Sequence, residues 1–96
     1  MNQENPTPQQ RLDGAWQIAE YAIALAAKTG ITLDKPPIWD KGDAIHERVN
    51  HILQLSANGK TQDGTFPDEW LKDYPGVVGT ETTRAIVRAM VRQLSQ

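Results

Sequence analysis

Between Thr7 and Gly30 the apolar residues Leu12, Ala15, Trp16, Ala19, Ala22, Ile23 and Ala26 recur at steps of three and four. Side chains at that spacing share one face of a helix. Both ends carry helix signals. Thr7 stands as N-cap, Pro8 occupies the first helical position, Gln10 closes a capping box three residues after the cap, and Gly30 supplies the stop. Gln10, Asp13, Gln17, Glu20 and Lys28 form the opposite face, while Ile18, Tyr21 and Leu25 widen the apolar arc beyond what one neighbouring helix covers. The pattern predicts a central helix with Trp16, Ala19 and Ile23 buried, which can also form part of a subunit contact.

The rest of the chain reads as helical too. Pro36 and Pro37 make Ile31 to Lys41 a connector, because they remove two backbone donors and push their neighbours toward extended geometry. Trp39 followed by Asp40 resembles a staple and cap for a second helix, in which Ile45, Val49, Ile52 and Leu53 keep a helical period up to a stop at Asn58 and Gly59. The glycines and polar residues from Asn58 to Thr65 suggest an exposed loop. Pro67, Asp68 and Glu69 open a short helix that Pro75 and Gly76 end, and Thr80 caps a last helix with Ile86, Val87, Met90, Val91 and Leu94 inward. The predicted fold is all-α: a small single-domain bundle of four to five helices, spanning approximately 8–29, 41–57, 67–74 and 81–95.

With 96 residues the chain can build one core, so residues 7–96 are expected to form a single domain behind a polar tail at 1–6. A formal charge of −2 gives no overall electrostatic footprint for nucleic acid or anionic lipid. The absence of cysteine excludes disulfides, thiolate metal sites and a cysteine nucleophile, and fits a reducing compartment. The stretch Ile18 to Ala27 is too short to span a bilayer and is interrupted by Glu20, and Met1 to Gln10 has no leader pattern. A cytoplasmic protein without a membrane partner is the expectation.

Few clusters carry catalytic residue types. His46 and His51 lie five apart, whereas the zinc-protease spacing is four, so on a helix they cannot face one metal. Glu47 and His51 can meet on that helix, with Asp43 one turn earlier, and such a stripe is ordinarily a solvated face. The segment Asn58 to Glu69 fails the calcium-loop phase, since Trp70 falls where a bidentate Glu belongs when Gly64 is set at the sixth position. Gly76 to Gly79 precedes a helix without the Lys or Ser/Thr of a phosphate loop. No catalytic residue, metal or cofactor is therefore assigned.

Arg84, Arg88 and Arg92, spaced by four, form a basic stripe on the last helix and are the candidate partner-binding residues. The function expected from these features is a small non-enzymatic protein-interaction module, an adaptor, inhibitor or regulatory subunit. Its partner would be another protein, with an acidic surface suited to the stripe, and a homo-oligomer is expected. Two alternatives differ in class. A helix-turn-helix-like DNA binder would use region 67–95, against the acidic character of the helix opening at Asp68. A small enzyme would use residues of the 43–51 helix.

Overall fold

The computed structural model describes residues 8–96. The expected tail at 1–6 and the Thr7 cap lie outside the described residues. Helix α1 runs Pro8–Lys28. It closes as a Schellman motif: Ile31 N–H donates to the Ala26 carbonyl at 2.8 Å and Gly30 N–H to that of Ala27 at 3.1 Å. Strand β1 (Ile38–Trp39), a 3-10 turn (Asp40–Gly42), strand β2 (Asn50–Ala57), strand β3 (Lys60–Pro67), helix α2 (Asp68–Asp73) and helix α3 (Thr80–Leu94) follow. The three strands form one antiparallel sheet in the order β1-β2-β3.

This mixed fold of helices and sheet overturns the expected all-α bundle. Helices were expected near 8–29, 67–74 and 81–95, and helices are found there. The expected helix at 41–57 is instead an irregular stretch leading into β2, and the expected loop at 58–65 is the hairpin turn and most of β3. Two periods compete in the second segment. Ile45, Val49, Ile52 and Leu53 follow a helical spacing, whereas His51, Leu53, Leu55 and Ala57 follow a spacing of two, and these last four are the ones fully buried. The turn decides between them. Asn58 and Gly59 both have positive φ, 54° and 76°, the mirror-image turn whose twist matches an antiparallel pair. Ala57 consequently faces Lys60, and the register continues to Asn50 opposite Pro67.

The sheet's inner face carries Trp39, Leu53, Leu55 and Phe66 against Ile18, Ala22 and Ala26 of α1, Leu71 of α2, and Val87, Val91 and Leu94 of α3. Its outer face is polar, with Gln54 donating to Asp63 at 3.2 Å and the hydroxyls of Ser56 and Thr61 3.3 Å apart. Trp39 fixes α1 over the sheet: its indole N–H donates to the Ala15 carbonyl at 3.1 Å, and its ring meets Phe66 edge-on at 5.7 Å.

The buried side of α1 is also displaced from the expected one. Ala15, Ile18, Ala22 and Ala26 are inside, while Trp16 is 68% and Ile23 44% exposed and Ala19 is half-buried. The expectation that Trp16 and Ile23 fill the core is therefore corrected. The reason is the width of the apolar arc: it is broad enough for two stripes about 100° apart, and the sheet takes the one built of small residues. Small side chains let α1 approach closely. At Gly14 the approach is backbone to backbone, because a Cβ there would run into the Leu71 carbonyl of α2.

Candidate functional site

Two features of this architecture stand apart from ordinary packing. The first is a chain of charges under α1. His51 leaves β2 on the inner face and is fully buried. One ring nitrogen, Nδ1, lies 2.7 Å from Asp40 Oδ2, and the other, Nε2, lies 2.6 Å from Asp68 Oδ1. Each ring nitrogen thus lies within hydrogen-bond distance of a carboxylate oxygen. Asp68 is in turn gripped bidentately by Arg11, whose Nε and Nη2 donate at 2.6 and 2.9 Å. Lys72 stands 3.5 Å from Asp68, and Arg48 stands 3.7 Å from Asp40.

Local structure sets each member of this chain. Asp68 opens α2 directly after Pro67, where a carboxylate suits the positive end of a helix. Asp40 has a left-handed backbone, φ 50°, that turns its carboxylate back over the sheet, where the N–H of Ile52 also donates to it at 2.9 Å. Arg11 comes from the first turns of α1. Arg11 pairs with Asp68 and Arg48 stands beside Asp40, with His51 bridging the two carboxylates, so each buried carboxylate has a guanidinium neighbour. Arg11, foremost through its hydrogen bonds, holds the Asp68 carboxyl well below the usual carboxylate range, although burial pushes the other way. The same contact raises Arg11.

Of the acid–base residue types in this chain of contacts, Asp68 borders an open hollow of about 470 Å³ together with Arg48 and Lys72, whereas His51 does not reach the surface. Both ring nitrogens of His51 are occupied and its side chain has no exposed surface. Glu47, expected to share a helical stripe with His51 and Asp43, is exposed, as is His46, in the irregular stretch before β2. Glu47 does not meet His51, whose partners are Asp40 and Asp68. Among the described residues no group of three His, Asp or Glu is placed to hold a metal ion.

The second feature is a groove. The outer stripe of α1, with Leu12, Trp16, Ala19 and Ile23, forms one wall, and Pro36, Pro37, Trp39 and Ile45 form the other, enclosing about 480 Å³. A second hollow of about 500 Å³ shares Ile23, Pro36 and Pro37 and continues past Ile31 and Leu33 to Lys35. The two prolines hold the far wall in place because their φ angles are fixed. Polar side chains stand at the ends and along the rim: Gln9, Asp13 and Glu20 beside the first hollow, Asp34 and Lys35 beside the second.

The arginine stripe does lie along one side of α3, next to α1, but much of it is engaged. The Arg84 guanidinium sits 5.6 Å from the Tyr21 ring and 5.5 Å from the Tyr74 ring, and its Nε donates to the Tyr74 hydroxyl at 3.2 Å. Arg88 donates to the Tyr21 hydroxyl at 3.3 Å. Arg92 is exposed beside a smaller hollow lined by Leu25, Thr29 and Ser95. Helix α2, the first helix of the DNA-binding alternative, has six residues, and three of them are acidic.

Sequence reasoning missed Asp40 and Asp68 as partners of His51, and Arg11 as the partner of Asp68. A signal was present, since a histidine on the inner side of a strand needs acceptors for its ring nitrogens. It becomes readable only once β2 is recognised as a strand. No family model matches the chain, and no curated protein or solved structure matches it. Among the described residues no helix is long and apolar enough to cross a membrane.

Proposed function

We propose that this chain is a non-enzymatic protein-interaction module that works through the outer face of α1. One observation carries the reading: Trp16 is 68% exposed at the edge of an apolar groove. A tryptophan buries roughly 150–250 Å² when covered, so on the order of 100–170 Å² of Trp16 faces water. Covering that area would contribute about 2.5–4 kcal/mol at about 25 cal/mol per Å². Exposed aromatics beside a pocket with a polar rim are the usual anchors of protein contacts. Leu12 and Ile23, 41% and 44% exposed, extend the same stripe.

The closure of the His51 chain supports a non-enzymatic role, since the histidine best equipped to exchange a proton faces no solvent. Arg88 and Arg92 form a second, smaller surface suited to acidic groups of the same partner, while Arg84 chiefly ties α3 to Tyr21 and Tyr74. A cysteine-free chain with these contacts suits work in the cytoplasm.

The test places a photo-reactive amino acid at Ile23 in the native host and, as a control, at Gln93 on exposed α3. A discrete protein adduct is expected from position 23, absent from position 93 and abolished by Trp16→Lys. Irradiation that yields no adduct at 23, or the same adduct in the presence of Trp16→Lys, would contradict the reading.

A further inference from the structure

We infer that the hollow between the C-terminal ends of α1 and α3 binds a small phosphate monoester, with Arg88 and Arg92 holding the phosphate and Leu25 and Val91 meeting its organic group. The inference takes from the proposed function only the reading of these two arginines as a surface for acidic groups, and it gives that surface a ligand of its own. The hollow encloses about 220 Å³ and is lined by Leu25, Thr29, Arg88, Val91, Arg92 and Ser95. Pockets for drug-sized molecules run to roughly 300–1,000 Å³, so the occupant here is smaller. Val91 is buried and Leu25 half-buried at the edge of the core, which gives the hollow an apolar floor.

Charge and hydrogen-bonding capacity point to an anion. Arg88 and Arg92 are exposed, and neither forms an ion pair among the described residues. Arg88 donates one N–H to the neutral Tyr21 hydroxyl at 3.3 Å, and the Arg92 side chain has no hydrogen-bond partner among the described residues. Helix α1 carries no acid after Glu20 and α3 none after Glu81, while Lys28 adds a further cation in the last turn of α1. Two guanidiniums one turn apart suit a phosphate better than a carboxylate. Each planar fork takes a pair of oxygens, and a phosphate monoester presents one oxygen more for the two to share.

Both helices end beside the hollow, and open terminal carbonyls would repel an anion there. These carbonyls are closed. Thr29 Oγ1 donates to the Ala26 carbonyl at 2.9 Å, and the N–H groups of Ile31 and Gly30 complete the end of α1. Ser95 Oγ donates to the Arg92 carbonyl at 2.7 Å, and Asn58 Nδ2 to that of Leu94 at 3.3 Å. The arginines are therefore not needed as helix caps, and their donors face the hollow's mouth.

Titration of the purified full chain with butyl phosphate and with inorganic phosphate, followed by NMR at the arginine side-chain N–H groups and the leucine and valine methyls, tests the inference. Saturable shifts are expected at Arg88, Arg92, Leu25 and Val91. Butyl phosphate should bind about tenfold tighter than inorganic phosphate, because its chain covers the apolar floor. Arg92→Gln and Arg88→Gln should each weaken binding by about tenfold, as loss of hydrogen bonds to a charged group does. Arg92 has no partner in the fold, so its replacement should leave the denaturation midpoint unchanged. Arg84→Gln removes an equal charge that Tyr21 and Tyr74 already engage, and should weaken binding by less than about threefold in physiological salt.

Shifts that never saturate, equal affinity for the two phosphates, or a loss from Arg84→Gln as large as that from Arg92→Gln would each overturn the inference. Trp16→Lys should leave the phosphate affinity unchanged, so the failures of the two proposals separate. Absent phosphate binding with the adduct at position 23 intact removes this site alone. Saturable phosphate binding without that adduct supports this site and removes the α1 surface.

Discussion

Replacing Asp68 by Asn is expected to lower the free energy of unfolding by about 3–5 kcal/mol, because the change keeps the shape of the side chain but leaves buried opposite charges without their partner. Arg11 loses a bidentate acceptor, and His51 loses the carboxylate on one of its ring nitrogens. Domains of this size are stable by only about 5–15 kcal/mol, so the variant should approach the folding threshold. Asp63→Asn is the control: Asp63 is exposed on the outer sheet face, and the expected change is within about 0.5 kcal/mol. Equilibrium denaturation in urea measures both. Adding Arg11→Met to Asp68→Asn should recover part of the loss, since no unpaired guanidinium then remains beside position 68 and His51 keeps Asp40.

The same carboxylate sets the acid limb of stability. Asp68 is held below its ordinary range by Arg11 first and by His51 as well, so its ionised form is favoured in the folded state. A group whose folded value lies below its unfolded value, about 3.9 for Asp, contributes fully above that pH. The contribution is lost as pH falls from there through the folded value. Wild-type stability should therefore fall steeply below about pH 4, and the Asp68→Asn variant should show a shallower slope there. Equal slopes for the two proteins would show that Asp68 is not ionised by its neighbours.

The second large effect is expected at Gly14. In an open helix, Gly→Ala gains about 1 kcal/mol from helix propensity. Here the added methyl would meet the Leu71 carbonyl, a backbone atom of α2 that cannot turn aside. Since overpacking of a rigid contact costs about 1–3 kcal/mol or more, Gly14→Ala should be destabilising by about 2 kcal/mol net. Gly14→Val should abolish the cooperative transition. Gln17→Ala, an exposed site on α1, should leave stability equal or slightly raised. If Gly14→Ala stabilised the protein, α1 and α2 could not be as close as they are in this fold.

The helices were legible where local signals agree with tertiary packing. Pro8 and Gly30 bound α1, Pro67 with its two following acids opens α2, and the inward stripe of α3 is continuous. The hairpin was misread for a physical reason. His51, Leu53 and Leu55 alternate with Ile52, Gln54 and Ser56, but Ile52 blurs the alternation and leaves a helical spacing with Val49 and Ile45 equally visible. Asn58 and Gly59 end helices and also form hairpin turns, and only the pairing of Ala57 with Lys60 separates the two uses. Strand β3 is polar on its outer face and has Gly64 beneath Met90 on its inner face, so it carries little hydrophobic pattern.

The site was less legible than the fold. His51 drew attention as a residue type, yet its partners lie 11 and 17 residues away in the sequence and meet it only through the hairpin. On α1 the breadth of the apolar arc was readable, and with it the prospect of a subunit contact. Which stripe faces the core was not, because Trp16 and Ile18 are both large and apolar, and the choice depends on the close approach at Gly14 and on the hydrogen bond from Trp39 to Ala15.

The outer face of α1 is tested most directly by fluorine NMR of the chain labelled with 5-fluorotryptophan, the Trp16 resonance being assigned through Trp16→Phe. Its shift between light and heavy water reports contact with solvent. At low micromolar concentration a full solvent shift is expected for Trp16 and none for buried Trp39. On adding the partner recovered by cross-linking at Ile23, the Trp16 shift should disappear while that of Trp39 stays unchanged. A Trp16 resonance already shielded in the isolated chain, or one that stays fully exposed in every assembly the protein forms, would contradict the assignment of this face as the contact surface.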